Sequence, residues 1–309
     1  KYFKMYLKPD NLPKESEEAI SKLRLFSIYK NLKLQSLKFD TNFQVYEEIL
    51  NCFVGKKFTF VEIGVLGGGS LFMWREYFGK QARIIGIDLN PEAKKLEKEG
   101  FEIFIGSQSD ELFWEKFYTK VGKIDVLLDD GGHQNKQQII SVNQAVQNIN
   151  DGGLIIVEDT HTSYMKKFGN PSKYSFINFS KNIIDKINYR FFDSYQKFFP
   201  YYQNKYTGEK KINSIIFFES MVIFRINSKK NFIPNHLKNY ADDNYPDDNS
   251  EVADFSFREF FPKIQDKIEN NYLFLKKIPF IKKIVRYLFY TKNFFVRFKE
   301  NRFLKKFFE

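Results

Sequence analysis

From Phe58 onward the sequence predicts an α/β fold, a doubly wound and mostly parallel sheet with helices on both faces. Two observations carry the prediction. Short apolar runs alternate with stretches of helical period from residue 58 to about 158, the pattern of repeated strand–helix–strand units with right-handed crossovers. Two of those runs, Ile124–Leu128 and Leu154–Val157, end abruptly in paired acids, as a buried parallel strand does where its carboxyl end opens into a site.

In chain order, Lys8-Pro9-Asp10-Asn11-Leu12-Pro13 reads as a loop, and helical patterns over 14–32 and 42–53 predict a small N-terminal helical cap, residues 1–55. Strands follow at 58–63, 83–88, 102–105, 124–128 and 154–158, separated by helices near 69–79, 91–99, 109–119 and 136–148. A further helix is expected near 175–188. The runs 214–218 and 221–225 flank Glu219-Ser220, a separation that suits a two-residue hairpin and adds an antiparallel strand. The α/β domain is thus expected over 56–230. Beyond it, Asn-, Asp- and Pro-rich sequence reads as a surface loop. Phe280, Ile281, Ile284, Val285 and Leu288 then recur at helical spacing among basic residues, giving a variable and C-terminal basic helical region over 231–309.

Composition narrows the function. A chain of 309 residues can bury a large core, and its single cysteine, Cys52, excludes an intrachain disulfide framework or a Cys-based zinc site. The first residues lack the apolar run of a signal peptide, so a cytoplasmic location is expected. Net charge is +11, but residues 276–309 hold eleven Lys/Arg against two Glu, a net of +9. The body is therefore nearly neutral, which argues against nucleic acid as a partner. The tail suits the anionic inner face of a membrane or the groove of a partner.

The acids at the two strand ends, Asp129, Asp130, Glu158 and Asp159, converge on one sheet edge. Four carboxylates brought together repel unless a cation neutralises them, which points to a hard divalent metal with oxygen ligands. Val61-Glu62-Ile63-Gly64-Val65-Leu66-Gly67-Gly68-Gly69-Ser70 is a glycine-rich turn between a strand and a helix, where backbone amides can approach a ligand. Counted from Gly64, Leu66 stands where the dinucleotide fingerprint wants glycine, so a pyrophosphate binder is disfavoured. Asp88, ending the next strand, can accept hydrogen bonds from both ribose hydroxyls, and Ser107-Gln108 can hold an adenine edge. Adenosine without pyrophosphate points to S-adenosylmethionine.

Val-Glu-Ile-Gly at 61–64, Gly-Ile-Asp at 86–88, Asp-Asp-Gly-Gly-His at 129–133 and Glu-Asp-Thr-His-Thr-Ser-Tyr at 158–164 together resemble the metal-dependent sugar O-methyltransferases, including the mycinamicin-type macrolide sugar enzymes. The resemblance covers about residues 58–227. It implies a class I methyltransferase Rossmann-like sheet of seven strands, the last antiparallel. It also implies a divalent metal, usually Mg2+, held by Asp130, Glu158 and Asp159, with His133 as general base. The donor side comprises Glu62, Gly64, Gly67, Ser70, Asp88, Ser107, Gln108 and Asp129. Gly132 and Met165 depart from the family, which commonly has Ser and Trp there. His161 is expected to play a structural or substrate-contact role, and His236 to lie on ordinary surface. The implied acceptor is a sugar or sugar-nucleotide, and a homo-oligomer is compatible with the sequence. Two rivals stand beside this reading: a metal-dependent methyltransferase of another vicinal-oxygen compound, and a glycan-assembly scaffold with an inert fold.

Overall fold

A computed structural model describes residues 9–168, 173–189 and 210–231. Three helices open it, α1 (Lys14–Ile20), α2 (Arg24–Lys30) and α3 (Asp40–Leu50). The continuous helix expected over 14–32 is broken after Ile20. Ile20 and the group Leu25, Phe26 and Ile28 are all buried, and a turn between α1 and α2 lets both sets face inward. These helices share one apolar core with the sheet face carrying Phe60, Val126, Leu128 and Ile156 and with Trp74 and Phe78.

The sheet alternates with helices as expected: β1 (Thr59–Ile63), α4 (Gly69–Phe78), β2 (Arg83–Asp88), β3 (Glu102–Ile105), α5 (Glu111–Val121), β4 (Ile124–Asp129), α6 (Asn135–Asn148), β5 (Ile149–Val157), α7 (Phe176–Tyr189), β6 (Ile212–Phe218) and β7 (Met221–Ile226). Strand order is β3-β2-β1-β4-β5-β7-β6. β1 to β5 pair in parallel, and β7 enters antiparallel between β5 and β6. This is the seven-stranded class I methyltransferase arrangement, its last strand antiparallel. The Glu219-Ser220 turn closes without glycine because Ser220 itself takes a left-handed φ of 61°.

Two further elements differ from the pattern read in the sequence. Pro91–Glu99 winds as a 3-10 helix capped by the Asn90 side chain, which accepts from Glu92 N–H at 3.0 Å. β5 starts five residues early, at Ile149 opposite Ile124, and its register slips between Ile124 and Val126. Asp151-Gly152-Gly153 absorbs the slip: Gly152 has φ +93°, and a Cβ on Gly153 would lie 2.3 Å from the Asp125 carbonyl oxygen.

Parallel register brings the functional strand ends level. Ile63 pairs with Ile87 and Asp129, and Asp129 with Val157. The next residues, Gly64, Asp88, Asp130 and Glu158, therefore stand along one edge. It lies where the strand order reverses between β1 and β4, the position at which open α/β sheets bind ligands. The expected loop and basic helices beyond residue 231, with His236, lie outside the described residues.

Candidate active site

The glycine turn after β1 is shaped by close approach. Gly64 has φ +87°, and a Cβ there would lie 2.2 Å from the Asp130 carbonyl oxygen, so the β1 and β4 loops touch backbone to backbone. Asp88 braces the turn. Its Oδ2 accepts from the N–H groups of Val65 at 3.0 Å and Leu66 at 3.2 Å, and its Oδ1 accepts from Asn90 N–H at 2.8 Å. Leu66 and Leu89, both beside this carboxylate, stand 66% and 63% exposed. Gly67 is exposed on the same turn.

The other residues expected on the donor side are braced internally. Glu62 is fully buried and accepts from Ser70 Oγ at 2.7 Å and Trp74 Nε1 at 3.3 Å beneath the turn. Gln108, also buried, donates from Nε2 to both Asp129 oxygens at 2.9 Å and accepts from Gly132 N–H at 2.9 Å. Ser107 Oγ lies 2.9 Å from Ser109 Oγ. Burial pushes the carboxyls of Glu62 and Asp129 above their ordinary range, partly offset by the Lys38 charge and by the Gln108 hydrogen bond respectively.

Asp130, His133 and Asp159 form the open part of the acidic edge. Each presents one ligand atom, and these atoms lie within 4.8 Å of one another. His133 Nε2 is 3.4 Å from Asp159 Oδ2, and His133 Nδ1 is buried without a hydrogen-bond partner among the described residues. Two carboxylates and an imidazole converging from two loops, the one after β4 and the one after β5, fit a divalent cation. Three of the four non-glycine residues described with positive φ border the site: Leu66, His133 and Asp159, at 48°, 56° and 55°. Each left-handed residue costs on the order of 1 kcal/mol, strain that surrounding contacts must hold in place. Thr162 Oγ1 supplies one such contact, 2.8 Å from the His133 carbonyl and 2.7 Å from that of Asp159.

Glu158 turns the other way. It is 2% exposed; Oε1 accepts from Lys38 Nζ at 3.1 Å and from the Tyr46 hydroxyl, and Oε2 accepts from Asn42 Nδ2 at 3.1 Å. Its carboxyl is pushed up to about 8, by burial first and by Asp130 second, with Lys38 opposing. Asp159 rises for the same first reason, burial. Lys38 Nζ also lies 2.7 Å from Asp130 Oδ2 and 3.5 Å from Glu62 Oε1. Burial alone would lower the lysine, but the surrounding acids outweigh it and hold the ammonium well above its ordinary value. Lys38, Asn42 and Tyr46 were absent from the sequence-based site. Nothing in Leu37-Lys38-Phe39 marks the lysine as different from its neighbours.

His161 places Nδ1 2.6 Å from Ser220 Oγ and packs its ring against Phe39 at 5.9 Å. It therefore joins the β6–β7 turn to the N-terminal segment, and stands 3.9 Å from Asp159 Oδ1.

No protein-family model matches the chain. It is 29% identical over 154 residues to the 8-demethyl-8-alpha-L-rhamnosyl tetracenomycin-C 2'-O-methyltransferase of Streptomyces olivaceus, covering 47% of this chain and 40% of that protein. It is 31% identical over 128 residues to the 3'-O-methyltransferase acting on 8-demethyl-8-(2-methoxy-alpha-L-rhamnosyl)-tetracenomycin-C in the same organism, covering 40% of this chain and 32% of the relative. The matches thus span less than half the length of these curated relatives. Among solved structures, MycE methyltransferase from the mycinamycin biosynthetic pathway, in complex with Mg and SAH, is similar with a TM-score of 0.57 at 23% identity, over 69% of this chain and 56% of MycE. The chain is thus similar in sequence to sugar O-methyltransferases over less than half of its length, and it shares its fold with MycE.

Proposed function

We propose that the protein transfers the methyl group of S-adenosylmethionine to a sugar hydroxyl in a reaction that depends on a divalent cation such as Mg2+. The observation that carries this reading is the open Asp130–His133–Asp159 corner, set beside the Asp88-braced glycine turn on one sheet edge. Asp88 and the turn hold the donor's ribose, and Gln108 keeps Asp129 in place beside it. Asp130 and Asp159, two of the three acids that the resemblance makes ligands, would hold the cation. When bound, it supplies a Lewis acid that draws in the acceptor oxygens and eases loss of the hydroxyl proton. His133 takes that proton; the acceptor oxygen bonds to the methyl carbon as the carbon–sulfur bond breaks, and S-adenosylhomocysteine leaves.

A second reading gives the His133 ring nitrogen to the cation as a third ligand, and its position within the same cluster favours it. Calorimetry separates the two. His133→Ala retains Mg2+ affinity if the imidazole is the base and loses it if the imidazole is a ligand.

The names of the curated relatives, which give glycosylated tetracenomycins as substrates, support a sugar-bearing acceptor. A nucleotide-activated sugar or a bacterial surface glycan such as capsule is proposed for this chain, with action in the cytoplasm. The basic segment 276–309 would attach the protein to the membrane's inner face. No helix among the described residues is long and apolar enough to cross a membrane. The deciding experiment incubates the protein with activated sugars and labelled S-adenosylmethionine, with and without chelator, and seeks a gain of one methyl by mass spectrometry. Methylation that persists in chelator would remove the metal; failure to bind the donor would favour an inert scaffold.

A further inference from the structure

Lys38 belongs to the loop between α2 and α3, yet its ammonium reaches carboxylates 92 and 120 residues away in sequence. Its side chain is 1% exposed. The loop is locked. The Tyr29 hydroxyl donates to the Ser36 carbonyl at 2.9 Å, and the carbonyls of Leu34 and Gln35 press so close to α4 that a Cβ on Gly69 would lie 2.6 and 2.4 Å from them.

The acids around the ammonium fall into two groups. Glu62 and Glu158 are 0% and 2% exposed, and both oxygens of Glu158 are already taken by Lys38, Tyr46 and Asn42. Asp130, His133 and Asp159 have side chains 19%, 22% and 22% exposed and face the open side. Asp130 belongs to both groups, since its Oδ2 accepts from Lys38 while the residue also takes part in the open corner.

We propose that Lys38 is the internal counter-cation of this site: its ammonium neutralises Glu158 in place of the metal, shares Asp130 with it, and thereby sets how tightly the metal is held. The inference rests on the metal-dependent reading above and departs from the ligand set implied by the resemblance, because Glu158 becomes the lysine's partner. The physical ground is direct. Buried carboxylates without a partner are costly, so a fixed cation lets the acidic edge form before any metal arrives. The same cation repels a metal bound to the shared Asp130, which leaves that metal weakly held and exchangeable.

The test titrates Mg2+ alone into the full-length protein by calorimetry. Lys38→Met removes the repelling charge and frees oxygens of Asp130 and Glu158, so Mg2+ should bind tighter by about tenfold or more. Lys38→Arg keeps the charge and should leave affinity near that of the unaltered protein. Glu158→Gln keeps the oxygen that accepts from Lys38 and Tyr46, though not the acceptor for Asn42, and should change Mg2+ affinity far less than Asp159→Asn, which should weaken it strongly. If Lys38→Met does not fold, the contrast between Glu158→Gln and Asp159→Asn carries the test. A lysine serving packing alone would lower stability on substitution without tightening Mg2+ binding, and that result overturns the proposal. So does loss of Mg2+ binding in Glu158→Gln. An unaltered protein that binds no Mg2+ removes the metal-dependent reading as well, while Mg2+ binding that is indifferent to Lys38→Met removes this inference alone.

Discussion

At the scale of the residue, the site depends on side chains doing two jobs. Asp88 holds the glycine turn through two backbone N–H groups and accepts from a third in its own loop, and in the proposed reaction it also accepts from the ribose. Asp88→Ala should therefore weaken S-adenosylmethionine binding by at least ~1.5 kcal/mol in calorimetry, the loss of a charge-assisted hydrogen bond. Unchanged affinity would take Asp88 out of the donor site. His133 is held in left-handed backbone beside Asp159, with one ring nitrogen lacking a partner among the described residues. His133→Ala should lower turnover by ~10²–10⁴-fold, the usual range for removing a general base, with donor affinity intact. His161→Ala should cost less, because that ring is engaged by Ser220 and Phe39. The reverse ranking would move the base to His161, in the motif at 158–164.

At the scale of the element, β5 ties the site to the fold. Glu158 directly follows it, and near its start the Asp151-Gly152-Gly153 irregularity lets Ile149 and Leu154 both pair with β4. Gly153→Ala would force a methyl against the Asp125 carbonyl, a backbone atom that cannot swing aside. Destabilisation of ~1–3 kcal/mol is expected, as for other overpacked positions, read as a lower denaturant midpoint at unchanged slope. An unaltered midpoint would mean that the β4–β5 register is looser than its geometry implies. The N-terminal helices act as an element of the site as much as of the core, since α3 supplies Asn42 and Tyr46 to Glu158.

At the scale of the whole molecule, the concentration of buried acids gives stability a definite pH dependence. Glu62, Asp129, Glu158 and Asp159 are all raised, in each case by burial first. A carboxyl with a folded value above its unfolded one binds its proton more tightly in the native state, so stability is greatest at low pH and falls as pH rises through the interval between the two values. Here the interval runs from the ordinary value of 4.5 to about 8 for Glu158. In chelator, thermal unfolding should therefore move to higher temperature as pH is lowered from about 8 to about 5.5, by at least ~1 kcal/mol of stability. Added Mg2+ should flatten the trend by stabilising the ionised acids. A melting temperature that instead climbs steadily with pH would mean that Lys38 and the hydrogen bonds around these carboxyls offset their burial in full.

Much of this molecule was legible in one dimension because its signals are local. Apolar runs at strand spacing, glycines where backbone must approach backbone, and acids at strand ends each declare themselves within ten residues. Parallel register then brings Gly64, Asp88, Asp130 and Glu158 to one edge without further information. The polar web behind that edge was not legible in the same way. Ser70 with Glu62, and Gln108 with Asp129, turned inward, where hydrogen-bond partners lie beneath the turn and across the sheet. Lys38 is the extreme case. A lysine in a leucine-rich loop looks like any exposed charge, and only the packing of α2, α3 and α4 delivers its ammonium to Asp130 and Glu158. Local sequence determined which groups carry charge and where each strand would place them; which charges neutralise one another depended on contacts formed only when the chain closes, since Coulomb energy follows distance in space and not separation along the chain.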